Sequence, residues 1–98
     1  MESNEWHALV ERLSQAAHKG ELNDLLQFLL TADEREALLV RAKIFDGLLL
    51  KSQSQRQLSQ DIGVGIATIT RGSKELQKHD QAELARLQQF LDGLFEQP

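Results

Sequence analysis

The segment SQRQLSQDIGVGIATITRGSKEL, residues 54–76, decides the fold of this chain. Ser54 is a suitable N-cap for a helix whose apolar residues Leu58 and Ile62 lie four positions apart, on one face. Two glycines within residues 63–65 end that helix, because glycine adopts backbone angles that other residues resist. A second short helix follows, and we expect its buried side to carry Ile66, Ile69 and Leu76. Two short helices joined by a tight turn are typical of a helix-turn-helix motif that binds DNA.

Three other interpretations of this segment compete with DNA binding. A dinucleotide-binding loop is disfavoured, because Thr68 stands where the third glycine belongs and a helix, not a strand, precedes the run GVGIAT. A phosphate-binding loop is disfavoured because no Gly-Lys-Ser/Thr sequence follows. The third interpretation is an ordinary helical hairpin with a solvated polar face. On the pattern alone, DNA binding is therefore a hypothesis.

Length and composition predict one small domain spanning residues 1–98. A chain of this size buries a limited core, so oligomerisation would help to supply buried surface. The chain has no cysteine, which excludes disulfides and thiol chemistry and suits a cytoplasmic protein. No apolar run is long enough to span a membrane, and no signal peptide is recognisable. We expect a cytoplasmic protein without a membrane partner.

The net charge of −4 is unevenly distributed along the chain. Residues 41–78 hold seven lysines and arginines against three acids, a local balance of +4. Residues 1–40 hold three bases against eight acids, and residues 79–98 hold one against four. Positive charge is thus concentrated around the predicted helix-turn-helix, as contact with DNA phosphates requires.

The remaining periodicity predicts an all-α chain of six helices. An amphipathic helix runs from Glu5 to Lys19, stops at Gly20, and offers Trp6 to a core or an interface. Residues 22–30 are apolar on nearly every side, so we expect that helix to be buried by a second copy in a dimer of closely packed helices. Capping boxes at Thr31 with Glu34, and at Asp80 with Glu83, predict the starts of the third and last helices. The last helix is expected to include Leu84, Leu87, Leu91 and Leu94.

Nothing in the sequence suggests an enzyme or a metal site. His7, His18 and His79 lie in different elements, and none has a metal-ligating neighbour at helical spacing. There is no nucleophile motif and no cysteine for nucleophilic catalysis. We therefore expect a binding protein without a metal.

Two strings, TADERE at residues 31–36 followed by Arg41, and GIATITRGS at residues 65–73, resemble the Trp repressor family. The resemblance covers roughly residues 5–78. It implies a six-helix intertwined homodimer with a helix-turn-helix at about residues 54–77. It also implies that double-stranded operator DNA is bound when L-tryptophan, the corepressor, is loaded. The family is itself a standard example of helix-turn-helix docking and of water-mediated base contacts.

The resemblance assigns a tryptophan site to Arg41, Arg71, Thr31, Gly72, Phe28, Leu30 and Glu75. The indole ring would lie between the guanidinium planes of Arg41 and Arg71, which stack well on aromatic faces. Arg71 would also meet the ligand carboxylate, with Thr31 close by and Gly72 leaving room beside the ring. Backbone carbonyls of Phe28 and Leu30, contributed by the partner subunit, would accept from the ligand ammonium. Glu75 replaces a serine of the family's best-known member, and it could pair with the ammonium or turn outward.

The resemblance also assigns the DNA contacts, to Gln55, Arg56, Ile66, Ala67, Thr68, Thr70 and Lys74. Arg56 is the best candidate for direct reading, since arginine can bond guanine O6 and N7 together. Gln55 and Lys74 are expected to contact phosphates, and the other four to face the major groove. Ser59 replaces a lysine of the best-known member, which removes one phosphate contact per subunit.

Two alternatives to a tryptophan-dependent repressor remain open. The first is a helix-turn-helix regulator of the same fold that does not use tryptophan. The second is a helical protein-interaction module without a DNA role.

Overall fold

The structure is a computed structural model that describes residues 3–96. Over that range the chain contains six α-helices and no strand, which confirms the all-α prediction. The helices are α1 (Asn4–His18), α2 (Leu22–Leu29), α3 (Ala32–Leu49), α4 (Gln55–Ile62), α5 (Ile66–Leu76) and α6 (Gln81–Leu91), followed by a short 3-10 turn (Leu94–Glu96).

The chain divides into two compact units, and the division falls inside α3. The first unit ends at Arg35 and the second begins at Glu36. In the first unit α1 packs against α2, and in the second α4 packs against α5 and α6 against the 3-10 turn. The single domain over residues 1–98 stays a prediction.

The predicted helix ends are set by local hydrogen bonds and glycine conformations. Gly20 has φ +73°, the left-handed conformation that ends α1. The Thr31 hydroxyl accepts from the Glu34 amide at 3.1 Å, while the Glu34 carboxylate accepts from the Thr31 amide at 2.8 Å. Asp80 and Glu83 form the same reciprocal pair at the start of α6, at 2.8 and 3.0 Å. Both capping boxes are confirmed.

The predicted end of the last helix is wrong. Leu94 was expected to continue that helix, but α6 ends at Leu91 and Leu94 lies in the 3-10 turn. Gly93 adopts φ +76° between them. A left-handed residue cannot continue an α-helix, so the chain turns there.

The second unit has a core built by three helices. Ile44 of α3, Leu58 of α4 and Ile69 of α5 are at most 2% exposed and form one cluster. A Cβ added at Gly47 would collide with the Leu58 side chain, so glycine permits the close packing of α3 against α4. The core therefore holds α4 and α5 against the second half of α3.

One apolar residue of α5 lies outside this core. Ile66 was expected on the buried side of α5 but is 50% exposed. It is the first residue of the helix, one turn before Ile69, and the contact with the core starts at Ile69. The expected burial of Ile66 is corrected, and its side chain is accessible.

The first unit buries little of its apolar surface within the single chain. No side chain of α2 is buried, and Phe28 is 86% exposed. Trp6 of α1 is half exposed, and Ala16 is the one residue of α1 that is buried. The burial of α2 by a second copy, and the dimer itself, stay predictions.

Candidate functional site

The predicted helix-turn-helix segment consists of α4, a three-residue turn and α5. The Ser54 hydroxyl accepts from the Gln57 amide at 3.1 Å and caps α4. Gly63 ends α4 with φ +81°, where glycine is favoured. Gly65 has φ −65°, an angle open to other residues, so the expectation that both glycines are needed for the turn holds only for Gly63. The Ser59 hydroxyl donates to the Val64 carbonyl at 2.6 Å and ties α4 to the turn.

The side chains predicted to contact DNA lie on α4 and α5 and differ in exposure. Four of them are exposed, namely Arg56, Ile66, Ala67 and Lys74. The other three are partly buried, namely Gln55, Thr68 and Thr70. The two helices are joined through two of the partly buried residues. The Thr70 hydroxyl lies 2.8 Å from Gln55 Oε1 and 3.0 Å from the Ile66 carbonyl. A glutamine amide that accepts through Oε1 keeps its two Nε2 hydrogens as donors for another acceptor.

A groove of about 500 Å³ lies between α3 and α5 in the second unit. Its volume is within the range of small-molecule sites. It is lined by Ala37, Val40, Arg41, Ile44, Thr68, Arg71, Gly72, Lys74, Glu75 and Lys78. Four of the seven residues predicted to bind the ligand are thus brought together here: Arg41, Arg71, Gly72 and Glu75.

The groove combines an apolar floor with a strongly cationic rim. Ala37, Val40 and Ile44 supply apolar surface, and the charged part of the lining consists of four cationic side chains and a single carboxylate, that of Glu75. Lys78 Nζ lies 2.8 Å from Glu75 Oε1. This hydrogen bond and the charge of Lys78 hold the pKa of Glu75 below its ordinary value, and the nearby charge of Arg41 acts in the same direction. The rim therefore suits an anionic group, with one ionised acceptor beside it.

The role of Lys78 beside Glu75 was not predicted from the sequence, although its spacing from Glu75 indicates it. Lys78 follows Glu75 by three positions, the spacing at which opposite charges meet on a helix surface. The apolar residues of α3 that line the groove were not among the predicted ligand residues.

Gly72 fits tightly against α3. A Cβ added there would lie 2.9 Å from Ile44 Cγ2, a branched side chain that is 2% exposed and cannot move aside easily. The expectation was that Gly72 leaves room beside a bound ring, and this role is untested. The contact with Ile44 gives Gly72 a second role, because it allows α5 to approach α3 closely.

The other three predicted ligand residues belong to the first unit. The Thr31 hydroxyl is engaged in the capping box of α3. The Leu30 carbonyl accepts a hydrogen bond from Arg35 Nη1 at 2.8 Å. Phe28 is exposed. Their roles toward a ligand stay predictions, and the Leu30 carbonyl already has a cationic donor.

Metal sites and membrane-spanning helices are the other classes of feature to consider. Within residues 3–96, no group of three or more histidine or acidic side chains is placed to hold a metal ion. Over the same residues, none of the helices combines the length and the apolar character needed to cross a bilayer.

Comparison with known proteins identifies relatives along most of the chain. The family model described as Trp repressor protein matches residues 4–91. A Trp operon repressor homolog of Vibrio cholerae is 48% identical over 88 residues, which cover 90% of this chain and 85% of the relative. Homologs of the same description from Vibrio vulnificus and Aliivibrio fischeri are each 46% identical. They cover 94% and 91% of this chain, and 90% and 82% of their own lengths.

Proposed function

This chain belongs to the Trp repressor family, and we propose that it is an L-tryptophan-dependent transcriptional repressor. In this proposal a homodimer binds operator DNA of genes for tryptophan biosynthesis or transport. The observation that carries the proposal is the position of α5. One side of this helix lines the groove through Arg71, Gly72 and Glu75, while its start exposes Ile66 and Ala67. A ligand in the groove therefore contacts the same helix that would face DNA.

The residues of the groove match the chemistry of an aromatic amino acid. Arg41 and Arg71 present guanidinium groups that can stack on an indole ring, and Arg71 can also bond a carboxylate. Glu75 offers an ionised acceptor for an ammonium group. Ala37, Val40 and Ile44 supply the apolar contact that a ring requires. The proposed tryptophan site comprises Arg41, Arg71, Gly72 and Glu75, together with Thr31 and with Phe28 and Leu30 contributed by the partner subunit.

Binding in the groove would set the two helix-turn-helix segments of a dimer one DNA turn apart. Arg56 would read a base, Gln55 and Lys74 would contact phosphates, and the start of α5 would enter the major groove. Because ligand and operator then favour the same arrangement, each must strengthen binding of the other by the same factor.

The homodimer is supported by the apolar surface of the first unit. Trp6, Phe28 and Leu29 are each at least half exposed within the single chain. An exposed apolar surface of this kind marks a protein interface. A second copy that covers α1 and α2 would supply the buried area that this short chain lacks.

The same proposal makes the chain a regulator in the cytoplasm, not an enzyme, and without a metal. The Trp repressor family is regulatory. The groove holds stacking and ion-pairing groups, and none of its residues is a histidine or a cysteine that could serve as base or nucleophile.

Fluorescence anisotropy with a labelled operator tests the mechanism. We expect operator affinity to rise with L-tryptophan in the wild type, and the rise to be lost in Arg71→Ala. Arg56→Gln should lose operator binding and still bind tryptophan in calorimetry, at one ligand per chain. Arg86→Gln, which removes the same charge from an exposed position of α6, is the matched control.

The alternatives give different results in the same experiment. Equal operator affinity with and without tryptophan would overturn the corepressor role and leave a regulator of the same fold that answers another signal. Charge reversal at Arg56 together with Lys74 tests the second alternative. If neither the wild type nor this variant binds DNA, the chain is a protein-interaction module.

A further inference from the structure

The acidic residue of the groove has a cationic partner within the chain. Glu75 and Lys78 both line the groove, and Lys78 Nζ lies 2.8 Å from Glu75 Oε1. Glu75 supplies the single carboxylate of the lining. An ammonium group of a ligand must therefore share or replace Lys78 in order to pair with Glu75.

The exposure of the pair allows such an exchange. The side chains of Lys78 and Glu75 are 66% and 42% exposed. Exposed ion pairs are weak because both partners are well solvated and long side chains lose freedom when fixed. Lys78 has four rotatable bonds and can swing into solvent at little cost, whereas Glu75 is shorter and stays at the rim. The pair is thus strong enough to compete with a ligand and too weak to exclude one.

From this geometry we infer that Lys78 is a specificity-determining residue that competes with the ligand's ammonium group for Glu75. The inference rests on the proposed function, because it presumes an amino-acid ligand in the groove. Lys78 lowers affinity for ligands that carry an ammonium group and has no such effect on analogues that lack it. The competition therefore raises the concentration of free amino acid needed to fill the groove. With Glu75 unpaired, a lower concentration would suffice.

Calorimetric titration of two probes into the full chain tests this role. L-Tryptophan carries the ammonium group, and indole-3-propanoate is the same molecule without it. Lys78→Gln should tighten L-tryptophan binding about two- to fivefold, the range expected for release of an exposed ion pair. It should leave indole-3-propanoate unchanged or weaken it, because a positive charge is removed from the rim.

A double-mutant comparison separates competition for Glu75 from general charge effects. In the Glu75→Gln background, Lys78→Gln should no longer tighten L-tryptophan binding, because the shared acceptor is gone. Arg86→Gln removes the same charge away from the groove and should change neither affinity. Equal tightening of both ligands, a weakening of L-tryptophan by Lys78→Gln, or the same gain in the Glu75→Gln background would overturn the inference.

Failure of the inference is distinguishable from failure of the proposed function. If wild type binds L-tryptophan and Lys78→Gln leaves that affinity unchanged, the inference is wrong and the corepressor proposal stands. If wild type binds neither probe at millimolar concentration, the corepressor proposal is wrong, and the inference falls with it.

Discussion

The two units of this chain bury their apolar residues to very different degrees. The second unit holds Ile44, Leu58 and Ile69 at 2% exposure or less, in a three-helix core formed within one chain, while Leu38 and Phe90 of the same unit stay exposed. In the first unit, α2 has no buried side chain and Phe28 is 86% exposed. Since burial of apolar surface is the main favourable term in folding, the second unit is stabilised by its own chain. The first depends on a second copy in our proposal.

The largest expected effect is the loss of a core side chain from the second unit. Ile69→Ala removes a fully buried side chain and should lower the free energy of unfolding by about 2–5 kcal/mol. Guanidinium denaturation followed by circular dichroism measures it. Ile66→Ala changes the same residue type on the same helix at a half-exposed position. Its loss in free energy of unfolding should be well below half that of Ile69→Ala. Equal losses at both positions would contradict the core described for the second unit.

A polar substitution in the first unit should act on association. Burying a phenylalanine contributes about 1.5–3 kcal/mol, so Phe28→Asp should raise the dimer dissociation constant by roughly tenfold or more. Sedimentation equilibrium measures this constant, and Gln27→Asp on the same exposed helix is the control. If Phe28→Asp leaves dimerisation at the wild-type level, α2 is not covered by the second copy.

The close approach of α5 to α3 predicts an intermediate effect at Gly72. Overpacking against Ile44 costs about 1–3 kcal/mol, while alanine in a helix interior gains about 0.5–1 kcal/mol over glycine. Gly72→Ala should therefore destabilise the second unit modestly and weaken ligand binding in the groove. Gly65→Ser is the control, because a Cβ there meets nothing within 4 Å. Thermal melts and calorimetry measure the two effects, and a stabilised Gly72→Ala chain would contradict the packing.

The capping boxes give one matched local change in each unit. Thr31→Ala and Asp80→Ala should each cost about 1 kcal/mol of stability, because each leaves a helix amide without its acceptor. Amide hydrogen exchange measured along the chain shows where the loss is felt. If the units open separately, Thr31→Ala raises exchange at the start of α3 and in α1 and α2, whereas Asp80→Ala raises it in α6. A uniform rise in both variants would mean that the units unfold as one.

The smallest expected effect is a pH dependence at the start of α6. The hydrogen bond from the Asp80 amide, and then that with His79, hold the pKa of Glu83 below its ordinary value of 4.5. The ionised carboxylate therefore stabilises the fold above pH 4.5, and this contribution is lost as the pH falls through the lowered pKa. Glu83→Gln should be less stable than wild type at pH 7, with the difference vanishing in acid. Melting temperatures of wild type and Glu83→Gln at a series of pH values test this prediction. A difference in melting temperature that grows in acid would contradict it.

The features predicted from the sequence are those set by neighbouring residues. The boxes at Thr31 and Asp80 follow from a fixed spacing of three residues, and the ends at Gly20 and Gly63 follow from glycine's left-handed conformation. The all-α fold and the family also followed from periodicity and two short strings. Each of these features can be predicted without knowing which helices pack against each other.

The features that were missed depend on contacts between helices or on side-chain conformation. The exposure of Ile66 depends on where α5 meets the core, which periodicity does not specify. No local sequence pattern marks Gly47. Its role, which is to allow close packing of α3 against Leu58, is visible only in the contact between the two helices. Within the groove, Arg41, Arg71, Gly72 and Glu75 came together as the resemblance implied, but the pairing of Glu75 with Lys78 did not follow from it. The roles of Thr31, Phe28 and Leu30 toward a ligand stay predictions.

The hydrogen bond between Thr70 and Gln55 bears on the phosphate contact that we propose for Gln55. A glutamine side chain loses about 1.5–2 kcal/mol of rotamer freedom when it is fixed. In this chain the Thr70 hydroxyl, 2.8 Å from Gln55 Oε1, restricts that freedom within the folded protein. Part of the conformational entropy of Gln55 is thus lost on folding, and the phosphate contact that we propose for this residue would have correspondingly less entropy to lose. In that proposal, part of the entropic cost of ordering Gln55 falls on folding and not on DNA binding.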